Sequence, residues 1–455
     1  MARAQLVPLF VAWSRGRGGW GGLCWLLLSA PLAQAQGFAL PADETLRRLI
    51  DESVAARPEV AQASAGVKVE AERIPQVGAL PDPMVQVGLQ NDGFTSLEVG
   101  RMQTSFVSVM VSQTFPWPGK LGLRQGLAEL SVASARELVS RARLSTEAEV
   151  RRAYLALVLA RDRLVLLGQL EGLWQQSFGV ARVRYEAGDG AQSDVLRAQL
   201  ELNRLRQRRL LLRAEERGQV QALNRLRAHP LDEPIEVSQH VRELNALGGL
   251  EGVFSAEEAL SKSPELSAAR LSQARAGRTV ALAEKEPYPD LTVGASLMIR
   301  GALPPMWLVT IGAPLPVFLA SKQAKAVAES QAGAERAEHA VAATEQALRL
   351  RTEGRHSDFL ALLQVIELYE QGLLVQSQAT TESTLAQYQV GKVSFASVLE
   401  ANAGFIADQE GYLEAIANAH RVLIAQAELS LDAALPGTTS ATGATTAGSA
   451  SPSGM

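Results

Sequence analysis

KLGLRQGLAELSVASARELVSRARLSTEAEVRRAYLALVLARDRLVLLGQLEGLWQQSFGVARVRYEAGDG, residues 120–190, carries no proline and meets no strong breaker before its last three residues, Gly188-Asp189-Gly190. Single glycines at 122, 126, 168, 172 and 179 are its only interruptions. Some 65 helical residues at about 1.5 Å each span roughly 100 Å. An ordinary globular helix has about 8–20 residues, so this length calls for a coiled coil or another helical array. After the turn the chain runs back as helix from Ser193 to about Arg227, which makes a long hairpin.

Working outward, the hairpin is preceded by a helical pattern over residues 43–77, with Pro58 at a position where its missing amide costs nothing. Leu80-Pro81-Asp82-Pro83 stops that helix. Residues 84–91 and 104–115 then alternate in character with period 2, as strands do, around a polar, glycine-bearing loop. Pro116-Trp117-Pro118-Gly119 forces a rigid change of direction from strand to helix. Trp117 there is either an amphipathic ring at a lipid–water interface or an ordinary buried tryptophan.

The same plan then repeats. Ser263-Pro264-Glu265-Leu266 answers Arg57-Pro58-Glu59-Val60, and Pro287-Tyr288-Pro289-Asp290 answers Leu80-Pro81-Asp82-Pro83. Strand-like runs at 291–299 and 308–314 lead through Pro314-Leu315-Pro316 into a second long helix, 321–390, with its return over 394–431. The turns match as well: Tyr185 and Gly188 in the first correspond to Tyr388 and Gly391 in the second. A repeat this regular decides the organisation. The chain divides into a first repeat (36–230), an irregular connector (231–255), a second repeat (256–435) and a Thr/Ser/Gly/Ala-rich tail (436–455) too poor in apolar surface to order itself.

Of 455 residues, 47% are hydrophobic and only 5% aromatic, and the formal charge is −4. No basic block interleaves with aromatics, so nucleic acid is not an expected partner. Residues 1–35 resemble a secretory signal: Arg3, Arg15 and Arg17, an apolar core over 23–28, and Ala33-Gln34-Ala35 as a cleavage site. Cys24, the single cysteine, would leave with it, and its neighbours do not suggest a lipid anchor. The five histidines, at 229, 240, 339, 356 and 420, form no i,i+4 pair or metal-ligand cluster, and no nucleotide-binding or nucleophile-elbow motif occurs. No enzyme, cofactor or resident metal is therefore expected.

Four short strands leave unpaired edges, and each unsatisfied backbone group in lipid costs several kcal/mol. The strands must therefore close with those of other copies, and the long hairpins, each with an apolar stripe, also need neighbours. The expected fold is an outer-membrane β-barrel plus a long α-helical coiled-coil barrel, built from an internally duplicated protomer with four strands per chain. A periplasmic coiled-coil adaptor or spacer would explain the helices but leave the paired strands without a use.

These residues resemble the TolC-like outer membrane efflux proteins. The motifs Gly78-Ala79-Leu80-Pro81-Asp82-Pro83 and Ser112-Gln113-Thr114-Phe115-Pro116-Trp117-Pro118-Gly119-Lys120 look like the heavy-metal branch, which serves copper/silver or cobalt/zinc/cadmium pumps. The resemblance implies a homotrimer with a twelve-stranded barrel in outer-membrane lipid. It also implies a periplasmic tunnel, a periplasmic adaptor at the tunnel tip and an inner-membrane pump of the RND type that supplies the energy. A drug or type I protein export channel is the alternative cargo reading. The family closes its tunnel with acidic rings; here the corresponding stretch is Ala396-Ser397-Val398-Leu399-Glu400-Ala401, with Ser397 in place of the first acid. Glu400 either lines that constriction or is a solvated surface carboxylate. Gly188, Asp189, Asp194, Gly391 and Lys392 are the candidate adaptor contacts, and Asp194 alternatively pairs helices. Tyr185 and Tyr388 either tie one helix to the next or simply pack.

Overall fold

The computed structural model describes residues 43–429 and 431; the signal segment and the tail expected at 1–35 and 436–455 lie outside them. The elements run α1 (Glu44–Ala56), α2 (Pro58–Gly78), β1 (Met84–Gln90), β2 (Phe106–Phe115), α3 (Lys120–Glu186) and α4 (Gln192–Leu226) in the first half. The second half runs α5 (Ala256–Lys262), α6 (Pro264–Ala283), β3 (Leu291–Ile299), β4 (Met306–Gly312), α7 (Ala324–Leu368), α8 (Leu374–Gln389) and α9 (Phe395–Glu428). The two halves repeat helix, helix, strand, strand and helical hairpin.

The 67-residue α3 is unbroken. The second long helix is not: it opens on a π turn, Leu319–Gln323, and a second π turn, Tyr369–Leu373, separates α7 from α8. Helices α1 and α2 are divided at Arg57, whose extended backbone precedes Pro58, as the clash of a proline ring with the preceding residue requires.

Strand β4 pairs from Met306 to Gly312, two residues earlier than the alternation places it. Pro314 lacks an amide and cannot continue a ladder, whereas Met306 and Trp307 face Met298 and Leu297 across it. Strand β2 starts at Phe106 rather than 104 because Ser105 is fully buried in the loop, where its hydroxyl accepts the Asp92 amide at 3.0 Å. Strand β1 ends at Gln90; Asn91 instead ties the loop together, its side-chain amide donating to the carbonyls of Gly93 (2.6 Å) and Ser96 (2.9 Å).

The main core lies midway along the helices. Tyr154, Leu155, Leu157, Leu167 and Leu170 of α3 meet Leu223 and Leu226 of α4, Phe359 of α7 and Ile416, Leu423 and Ile424 of α9. The connector after α4 is not merely a loose link. It forms two short 3₁₀ turns, Val241–Asn245 and Leu250–Val253, and Val241, Leu244 and Leu247 are inserted into that core. Asp162 of α3, 8% exposed, holds it: one carboxylate oxygen accepts the Val241 amide (2.6 Å) and the other bonds His240 Nδ1 (2.7 Å). That contact raises the His240 pKa above its ordinary value, first through the hydrogen bond and then through the charge of Asp162. His420 of α9 donates from Nε2 to the Leu244 carbonyl (2.8 Å), and burial keeps its pKa low and the ring neutral.

Candidate functional site

The four strands form one antiparallel sheet in the order β1-β2-β3-β4, so the two halves of the chain join along β2 and β3. Register sorts the side chains sharply. Val85, Val87 and Leu89 lie opposite Val111, Val109 and Val107; these in turn meet Ala295, Leu297 and Ile299; and Val293, Ala295 and Leu297 meet Ile311, Val309 and Trp307. Apart from Gln113, that face is apolar. The other face carries Gln86, Gln90, Ser108, Ser112, Thr114, Thr292, Ser296 and Thr310, together with methionines, glycines, Phe106 and Leu308. No described residue covers the apolar face: Val87 is 73% exposed, Ile311 71% and Trp307 79%. A soluble surface seldom presents so continuous an apolar area, while apolar-out, polar-in alternation is what a lipid-embedded barrel needs. No helix among the described residues is long and apolar enough to cross a membrane.

Each outer strand, β1 and β4, leaves one edge without a partner. At the base of the sheet the two halves are clamped. Trp117 stacks on Tyr288 with ring centroids 5.1 Å apart, and its amide donates to Asp290 Oδ1 at 2.9 Å. Lys120, only 2% exposed, donates to Asp290 Oδ1 (3.0 Å) and to the Tyr288 carbonyl (2.8 Å). Gly119 sits at φ 93°, which lets the chain turn from Pro116 and Pro118 into α3. Burial pushes the Asp290 carboxyl up, but the Trp117 amide, the Lys120 ammonium and Arg124 outweigh it and hold the pKa below the usual carboxylate value.

At the far end of the helices the two reversals repeat each other. Gly188 (φ 83°) donates to the Tyr185 carbonyl (3.1 Å) and Asp189 to Arg184 (2.9 Å). Gly391 (φ 76°) donates to Tyr388 (3.0 Å) and Lys392 to Gln387 (2.9 Å). Both glycines satisfy the last carbonyls of their helix in a left-handed conformation that a side chain would strain. A separate small core of Ala181, Ala198, Leu385, Tyr388, Phe395 and Val398 joins the two hairpins here. The Tyr388 hydroxyl donates to Asp194 Oδ2 at 3.0 Å. Burial first, then Asp194, pushes the Tyr388 pKa up to about 12. Tyr185, by contrast, is exposed.

Arg184 completes the tip. It donates to the Tyr388 carbonyl and, at 2.9 Å, to that of Asp189, and its guanidinium lies 4.8 Å from the Tyr388 ring centre. Reading the sequence alone passed it over, although a signal was present: Gln387 occupies the matching place in the second repeat. Ser397 is engaged at the start of α9, its amide and hydroxyl 3.4 and 3.2 Å from the Ser394 hydroxyl. Glu400 is exposed on α9, and Lys392 is exposed beside its turn. Among the described residues no group of three His, Cys, Asp or Glu side chains is placed to hold a metal ion.

The family model for outer membrane efflux proteins matches this chain twice, over residues 49–229 and 256–436. The chain belongs to the outer membrane efflux protein family. The double match coincides with the internal duplication. No curated protein matches the chain in sequence. Among solved structures, that of CusC has 16% identity and a TM-score of 0.69, with 88% of this chain and 95% of that one covered. VceC of Vibrio cholerae gives 18% identity and a TM-score of 0.69, covering 84% and 95%. The open-state MtrE outer membrane channel of Neisseria gonorrhoeae gives 15% and 0.67, covering 87% and 94%. At such identities the likeness is one of fold: this efflux-family chain shares the architecture of outer membrane channels.

Proposed function

We propose that this protein is the outer membrane channel of a tripartite efflux system, a passive conduit across the periplasm and outer membrane. The two-faced sheet with both edges unpaired carries the reading. In lipid those edges must be satisfied, and β4 of one copy against β1 of the next does so while keeping the apolar face outward. Two copies would give eight strands, a barrel whose interior is about filled by side chains. Three give twelve and leave a lumen, which favours the homotrimer. The helical hairpins then form the periplasmic tunnel, with a secretory signal in residues 1–35 for delivery.

At the tip, Gly188, Asp189, Asp194, Gly391 and Lys392 would meet a periplasmic adaptor that serves an inner-membrane RND-type pump. Glu400 and Ser397 would lie at the constriction. The cargo we assign is heavy-metal cations, on the resemblance of residues 78–83 and 112–120 to the metal branch. The test is purification of the mature chain from outer membranes in detergent, followed by mass measurement and planar-bilayer recording. A trimer that conducts ions supports the reading. A soluble assembly without conductance would leave a periplasmic coiled-coil spacer instead.

A further inference from the structure

The inward face of the sheet departs from the usual polar lining most of all in its methionines. Four of the chain's seven methionines, Met84, Met110, Met298 and Met306, lie on it, one on each strand. None of the described methionines lies on the apolar face, where a methionine used only as apolar filler would belong. They are also contiguous. Met298 pairs directly with Met306. Met110 pairs with Ser296, two residues along β3 from Met298, and Met84 pairs with Ser112, two residues along β2 from Met110. Direct partners have Cβ atoms about 4.5–5.5 Å apart and diagonal ones about 7–8 Å, within reach of long side chains. The four thioethers thus make a band from one edge of the sheet to the other.

The two outer methionines are exposed and the two inner ones half-buried. Met84 and Met306 are 56% and 40% exposed. A Cβ on Gly294 would fall 2.6 Å from the Met110 methyl carbon, so the glycine leaves room for that side chain to lie across the sheet. Gln86 donates to Met84 Sδ at 3.1 Å, which shows a lone pair of that sulfur turned to a polar neighbour. No strand residue is charged. A hard or borderline divalent cation crossing this face would find hydroxyls, amides and thioethers as its side-chain donors, beside the apolar Phe106 and Leu308, whereas a soft monovalent cation would meet its preferred donor.

We propose that this methionine band is a binding relay for soft monovalent cations, Cu(I) or Ag(I), which narrows the cargo class within the channel function. The proposal rests on the polar face being the lumen. Several weak thioether sites in succession suit conduction, because a cation must be held well enough to enter and loosely enough to leave.

The test uses full-length trimer in detergent with [13C]methyl-methionine, titrated with silver nitrate and separately with zinc nitrate. Exposed Met102, in the loop between β1 and β2, is an internal control. Met84, Met110, Met298 and Met306 should shift at silver concentrations roughly tenfold or more below those that move Met102, as donors acting together require; zinc should move none. In planar bilayers with potassium nitrate, silver should reduce the wild-type current and leave that of the quadruple Met→Leu variant unchanged. Equal titration of Met102 and the four, equal responses to zinc and silver, or the same silver effect on both channels would overturn the proposal. A wild type without current would instead overturn the channel reading, and the relay with it.

Discussion

Replacing Lys120 by methionine tests the clamp that joins the two halves of the chain at the base of the sheet. Methionine keeps most of the volume of the lysine stem and removes the ammonium, which is bonded to Asp290 and to the Tyr288 carbonyl. Breaking a buried ion pair from one side costs about 3–5 kcal/mol. The Asp290 side chain is 29% exposed and keeps the Trp117 amide, so it recovers part of its solvation. The expected loss for Lys120→Met is therefore about 2–3 kcal/mol. Asp290→Asn should cost more, because the ammonium is only 2% exposed and is left with the Tyr288 carbonyl and, at 3.9 Å, Glu286. Combining the two should recover at least about 1 kcal/mol relative to their sum. Urea midpoints from helical circular dichroism of the purified protein would read all three. A Lys120→Met midpoint equal to wild type, or strictly additive losses, would refute the clamp. Its pH dependence follows from the sign of the Asp290 shift. The contribution is complete above the ordinary carboxylate value of 3.8 and is lost as pH falls through the lower folded value.

Further outcomes concern the tip, the connector and the packing of the second long helix. Tyr388→Phe removes the hydrogen bond to Asp194, worth about 1.5–3 kcal/mol for a charged acceptor; single-channel recordings should show a higher open probability, and an unchanged one would mean the tip does not hold the channel closed. Since Tyr388 is held protonated, the same contact should persist up to pH 10.0, the group's ordinary value, and fail as pH rises through about 12. For His240, whose pKa is raised, the added stability should be complete below its ordinary value of 6.5 and disappear as pH rises through the folded value; thermal melts across that range should lose this step in Asp162→Asn. Gly411→Ala should cost about 1–3 kcal/mol by overpacking, because its Cβ would lie 2.2 Å from the Tyr369 hydroxyl oxygen. Tyr369→Leu should restore most of that loss in the urea midpoint, and a neutral Gly411→Ala would mean that Tyr369 swings clear.

Much of this architecture is legible from residues 120–190 and their repeat, because helix length and proline placement are local properties. The strands are legible for the same reason, since period-2 alternation is written in consecutive residues. Other features depend on contacts between distant segments. That β2 pairs with β3 follows from neither alternation, and so the join between the halves, with Lys120 reaching Asp290, emerges only in three dimensions. The connector's polar, glycine-dotted composition conceals Val241, Leu244 and Leu247, which are buried by helices far away in sequence. Arg184 is one arginine among many until its neighbours across the hairpins are known. The π turn at Tyr369–Leu373 also left no mark in composition, since no proline or glycine pair announces it.

That turn has a consequence for symmetry. An extra residue in a helix rotates everything beyond it by about 100°. Helix α3 has no such insertion and the second long helix has two, so the two hairpins do not present matching faces residue for residue along their length, although their turns repeat. Deleting a single residue from 369–373 would turn α8 by about 100° relative to α7 and present a different face to α9.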